Sequence, residues 1–161
     1  MSGGILVAGI GNVLLGDDGF GVEVANRLGV RELPPGVRVS EFGIRGVHLA
    51  YELLDGYDGL ILIDAVPMGE TPGTLAVIEP DEVGGVIEDG TSALLDAHNM
   101  GPDVVLSTLA RLGGTVERIV VIGCQPANLE EGIGLSSAVA DVVDEAVELC
   151  VELAEQMCQR D

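Results

Sequence analysis

Three short runs, Ile5–Ile10, Gly59–Asp64 and Arg118–Gly123, are almost continuously apolar. Segments of that length without polar alternation suit strands covered on both faces, as in parallel sheets flanked by helices. Two weaker runs, Val37–Phe42 and Thr74–Glu79, complete a predicted set of five strands. Helical patterns alternate with them. Asp18–Leu28 sets Gly21, Val24, Ala25 and Leu28 on one face and is closed by Gly29; Val47–Leu54 is shorter. Pro102–Leu112 opens on Pro and stops at Gly113-Gly114, the usual asymmetry of helix ends. The last predicted helix runs from Ser136 to about Gln156, with an apolar stripe through Val139, Val143, Ala146, Val147, Cys150 and Ala154.

Strands alternating with helices imply a mostly parallel α/β sheet covered on both faces. One connection departs from this. Only Ala65–Gly73, with two prolines and two glycines, separates the third strand from the fourth. A parallel crossover needs a dozen or more residues. The fourth strand is therefore expected to be antiparallel and the sheet mixed. Gly84–Ala97 reads as a long connection with little periodicity. At 161 residues, with no repeat or linker, residues 1–161 are expected to form one domain.

The core must be aliphatic, because 47% of residues are hydrophobic but only 2% aromatic. Acidic residues number 27 against 7 basic ones, all Arg, for a net charge of −20. Such a surface repels phosphate backbones and argues against nucleic acid as a partner. No apolar run approaches the roughly 18 residues of a membrane span. Met1-Ser2-Gly3-Gly4 lacks the basic flank of a signal peptide, so no membrane insertion and a cytoplasmic location are expected. Cys124, Cys150 and Cys158 have neither even number nor C-x-x-C spacing, which points to structural thiols.

Ligands of open α/β sheets gather beyond the carboxyl ends of the parallel strands. There the sequence offers Asp17-Asp18 after the first strand, Asp64 at the end of the third, and His98 ahead of the helix at Pro102. Asp18, Asp64 and His98 make a plausible oxygen and nitrogen metal set. Asp17 is well placed as the N-cap of the first helix, and Asp18 could simply favour the positive end of its dipole. Asp64 follows Leu60-Ile61-Leu62-Ile63, where an unpartnered carboxylate would cost on the order of several kcal/mol. A cation or a hydrogen-bond cluster is expected beside it. His48 reads as structural. Glu41, at the end of the second strand, is a candidate for proton transfer. Gly9-x-Gly11 begins like a dinucleotide fingerprint, but the third glycine position is Leu14 and two acids follow, so no nucleotide is expected.

The run Ile5–Gly21 resembles the opening motif of the nickel–iron hydrogenase maturation endopeptidases. In the same order come Ile63-Asp64-Ala65-Val66, Pro72-Gly73-Thr74, Ala97-His98, Gly123-Cys124-Gln125-Pro126 and Gly132-Ile133-Gly134-Leu135-Ser136. The resemblance implies a three-layer α/β/α, phosphorylase/hydrolase-like fold. Its five-stranded sheet would have the order 2-1-3-5-4 with strand 4 antiparallel. It implies an endopeptidase that removes the C-terminal extension of a hydrogenase large-subunit precursor after nickel insertion. Asp18, Asp64 and His98 would recognise the nickel, supplied by the precursor as partner and substrate. The sequence departs from many relatives at Glu41-Phe42-Gly43-Ile44-Arg45-Gly46, which leaves Arg45 as a substrate contact, and at Ala127-Asn128. The alternatives are a nickel-binding assembly chaperone without peptidase activity and, more remotely, a nucleotide-binding oxidoreductase.

Overall fold

A computed structural model describes residues 4–44, 46–78, 102–114 and 116–159. Arg45, Glu79, His98 and the 84–97 connection lie outside the described residues. The strands are β1 (Gly4–Ile10), β2 (Val37–Gly43), β3 (Tyr57–Ala65), β4 (Leu75–Ile78) and β5 (Arg118–Cys124). They form one sheet of order β2-β1-β3-β5-β4. β1 pairs parallel with β2 and β3, β3 pairs parallel with β5, and β4 runs antiparallel to β5. The mixed sheet, its order and its reversed fourth strand agree with the expectations above.

The helices are α1 (Phe20–Leu28), α2 (Gly46–Leu53), α3 (Pro102–Arg111), α4 (Ser137–Ala140) and α5 (Val143–Gln159). Alternation along the strands divides the core in two. Ile5 and Val7 of β1 and Ile61 and Ile63 of β3 pack with Val24 and Leu28 of α1 and with Val147, Cys150 and Ala154 of α5. Leu6, Ala8 and Ile10, with Leu60 and Leu62, pack on the other face with Leu49 and Leu53 of α2 and Val105 and Leu109 of α3. Both faces of β1 and β3 are thus covered, which is why these strands lack polar alternation.

The long C-terminal helix predicted from Ser136 is broken. α4 lasts one turn, Asp141 and Val142 interrupt it, and α5 starts at Val143. Ser136 sits at the N-cap of α4 in an extended conformation but makes no side-chain cap. Its hydroxyl donates instead to Asp17 Oδ2 at 2.8 Å.

Two glycines fix the distance between α1 and the sheet. Gly9 lies on the α1 face of β1, where a Cβ would fall 2.1 Å from Gly21 O. A Cβ on Gly21 would fall 2.1 Å from Ile63 O and 2.5 Å from Ile10 O. All of these are backbone atoms of buried elements and cannot step aside. The start of α1 is therefore seated directly on the ends of β1 and β3. Gly21→Ala is expected to lower stability by about 3 kcal/mol or more, since overpacking a rigid site typically costs 1–3 kcal/mol. Gly29→Ala, at a right-handed helical φ of −62° with its nearest neighbour 3.4 Å away, is expected to be neutral or stabilising by about 0.5 kcal/mol. Urea unfolding of the two variants beside the parent protein checks both signs.

Candidate active site

The sheet order reverses direction between β1 and β3, and the crevice beyond their carboxyl ends is the place such sheets offer a ligand. β1 leaves the sheet through Gly11, whose φ of +131° favours glycine. Its N–H donates to Gly43 O at 2.9 Å, joining the ends of β1 and β2. A Cβ at Gly11 would lie 1.9 Å from Asp18 O and 3.6 Å from Asp64 Oδ1. Gly11 therefore stands between the Asp18 backbone and the Asp64 carboxylate, and only a residue without a side chain fits.

Asp64 extends the buried run of β3, opposite Gly123 in register, and is 5% exposed. Asp18 is 6% exposed and lies in a single 3-10 turn, Gly16–Gly19, that precedes α1. Its Oδ2 accepts the Asn12 N–H at 2.7 Å. Among the described residues no buried side-chain oxygen or nitrogen lacks a hydrogen bond. Burial pushes the Asp18 carboxyl above its ordinary pKa, and the Asn12 N–H opposes that only in part. A carboxylate held this way gains from a neighbouring cation. Glu41 lies at the same edge: a Cβ at Gly43 would be 3.8 Å from both Glu41 Oε2 and Gly11 O. The structure thus brings Asp18, Asp64 and Glu41 to one edge, while His98 is outside the described residues. Among the described residues there is no group of three metal-binding side chains. Two oxygen donors around Gly11 suit a divalent cation that completes its shell elsewhere.

Asp17 is not the N-cap of α1. Gly19 holds that position and makes no side-chain cap. Asp17 is 0% exposed and points away from the helix start, into the loop between β5 and α4. It accepts N–H groups from Ala127 at 2.8 Å, Asn128 at 3.0 Å and Ser136 at 2.7 Å, besides the Ser136 hydroxyl. Burial alone would raise its pKa, but these donors outweigh it and hold the carboxyl below the usual range. Backbone bonds continue the attachment: Asp17 N donates to Asn128 O, Gly16 N to Gly132 O and Gly132 N to Leu14 O, all at 2.9 Å. A second anchor is Gln125. Its Oε1 accepts from Met68 N at 2.5 Å and Glu70 N at 3.2 Å and so fixes the loop that follows Asp64. Sequence reasoning missed both roles; the only signal was the presence of each residue within a resemblance motif.

The family profile described as hydrogenase maturation protease matches residues 22–153. The chain belongs to the hydrogenase maturation proteases. It is 39% identical over 145 residues to the hydrogenase expression/formation protein HupD of Rhodobacter capsulatus, covering 89% of this chain and 67% of that one. It is 37% identical to a putative hydrogenase maturation protease of Methanocaldococcus jannaschii, covering 90% and 92%. Among solved structures, the hydrogenase maturating endopeptidase HybD from E. coli superposes with a TM-score of 0.78 at 29% identity, covering 95% of this chain and 93% of that one. This maturation protease is accordingly a peptidase by family, and among its described residues no helix is long and apolar enough to cross a membrane.

Removing the Asp17 carboxylate takes the charged acceptor from three part-buried N–H donors, and a hydrogen bond to a charged group contributes about 1.5–3 kcal/mol. Asp17→Ala is expected to cost at least about 3 kcal/mol in urea unfolding at pH 7. Because the folded-state pKa of Asp17 is depressed, its contribution is complete above the unfolded pKa near 3.9 and disappears as pH falls through the lower folded value. The stability gap between parent and variant is expected to narrow below about pH 4.

Proposed function

We propose that this protease removes the C-terminal extension of a nickel–iron hydrogenase large-subunit precursor once nickel has been inserted, and that it reads the bound nickel through Asp18, Asp64 and His98. The observation that carries the reading is that two buried carboxylates flank the turn after β1 at the reversal point of the sheet, Asp64 beside Gly11 and Asp18 on the N–H of the next residue, Asn12. The family supplies the peptidase class, and the E. coli neighbour HybD is a hydrogenase maturating endopeptidase. The nickel belongs to the substrate. Its arrival would complete a shell that two aspartates and an imidazole can share.

In this reading the substrate's nickel polarises the scissile carbonyl. Water adds to the carbonyl carbon, and the C–N bond then breaks. Glu41 takes the proton from the water and returns it to the leaving amine. Asp18 holds the strand-end turn in place through Asn12, and its carboxylate would be a ligand for the substrate's metal. A precursor without nickel presents nothing for the two carboxylates to engage and stays uncut.

The test is the mass of a purified nickel-loaded precursor after incubation with the protease. Asp64→Asn and His98→Ala are expected to lower the processing rate at least about 100-fold, and Glu41→Gln by a similar order. Wild-type rates in Asp64→Asn and His98→Ala would overturn the assignment. A precursor that binds and keeps its full mass would point to the assembly chaperone instead. Asp18→Asn separates chemistry from folding. Burial disfavours its charge, so folding gains as pH drops through the raised folded pKa, and neutralising the group is expected to raise the melting temperature at pH 7 while processing is lost.

A further inference from the structure

Beside the two aspartates the chain exposes apolar side chains on backbone that is fully committed. Leu14 is 57% and Ile133 85% exposed, and Val13 is also exposed. They sit on two loops bridged between Leu15 and Gly132. Asn12 Oδ1 accepts the Leu14 N–H at 2.9 Å, and Asn12 O accepts that of Leu15 at 3.0 Å. This turn has Leu14 pointing out with its backbone pinned. Ile133 stands between Gly132 and Gly134, both at positive φ, where an added Cβ would meet nothing within 4 Å. Neither side chain can reach the core without breaking these bonds. An ordered apolar ridge in water marks a contact surface.

Charge decides what fits on it. Segments 11–19 and 126–136 carry four acids and no basic residue, and Glu130 and Glu131, both exposed, adjoin Ile133. Among the described arginines, Arg27 pairs with Glu23 and Asp144, Arg31 with Glu148, and Arg38 with Glu52. A second copy of this chain would bring another −20 to the interface, and an anionic lipid surface would be repelled in the same way. A basic polypeptide would be attracted.

We infer that the ridge formed by Val13, Leu14 and Ile133 docks an apolar segment of the precursor that carries flanking Lys or Arg residues, which meet Glu130 and Glu131. The inference rests on the proposed precursor substrate. The ridge joins the site through Asn12, whose N–H is bound by Asp18. A segment seated there lies next to the carboxylates, so docking and metal reading use one continuous surface.

The experiment measures Kd for the immobilised nickel-loaded precursor by interferometry, at low and physiological salt, with precursor mass followed in the same samples. Leu14→Ser/Ile133→Ser is expected to raise Kd tenfold or more. Glu130→Gln/Glu131→Gln is expected to raise it several-fold at low salt and to flatten its salt dependence. Val30→Ser, an exposed apolar change at the far end of α1, serves as the control and leaves Kd unchanged. All of these positions are exposed, and circular-dichroism melts verify that the variants fold. A Kd within twofold of wild type in Leu14→Ser/Ile133→Ser overturns the proposal, as does absence of precursor binding by the wild type. So does a wild-type dimer that this double variant dissociates in sedimentation. Cleavage by the wild type with unaltered Kd in the ridge variants removes the docking surface and keeps the peptidase. Ridge-dependent binding without any loss of precursor mass does the reverse.

Discussion

The contact of α1 with the sheet at Gly9 and Gly21 sets the position of everything at the carboxyl edge. Because the helix backbone rests against the carbonyls of Ile10 and Ile63, its first turn starts between β1 and β3. The chain then has only residues 11–19 in which to leave β1, turn and enter the helix. Gly11 takes a φ open to glycine, Gly16–Gly19 closes a 3-10 turn, and Asp17 and Asp18 are forced into the crevice as neighbours. A larger residue at either glycine would lift the helix and pull the turn that carries Asp18 away from the ends of β1 and β3.

Adjacent in sequence, Asp17 and Asp18 are opposite in character. Asp17 is surrounded by donors that favour its charge, and Asp18 by burial that disfavours it. The first locks the loop between β5 and α4 onto the turn; the second is held by the Asn12 N–H. A well-anchored neighbour is what allows a strained group to stay where it is, because the turn cannot relax to let Asp18 swing into solvent. On the proposed reading, Asp17 holds the structure and Asp18 meets the metal.

Much of this was legible in the sequence. The five strands were visible because β1, β3 and β5 are buried on both faces and so lack polar interruption, and the reversed β4 followed from a connection too short for a crossover. Asp64 was legible because an acid directly after four buried aliphatic residues demands a partner. The break between α4 and α5 was not, since the apolar stripe continues from Val139 to Val143 across it. Ser136 is drawn to Asp17, and Asp17 to partners 110 to 119 residues away. No local spacing reports a bond across that distance, so a residue with the composition of an N-cap was read as one. Gln125 escaped notice for the same reason: its partners Met68 and Glu70 lie 57 and 55 residues earlier.

The cysteines bear on the proposed reading of a precursor's nickel. Cys124 and Cys150 are buried, and burial raises their thiols to pKa values of about 11 and about 12, with the Asp17 charge adding to the first. Thiolates are the strongest soft ligands a protein can offer, and at neutral pH these two remain thiols. The same protonation makes them slow to react with oxidants and alkylating agents. On the proposed reading, a cargo ion meeting this surface would find carboxylate oxygens and no thiolate at these two positions to capture it, so that the protease would inspect a metal without competing for it.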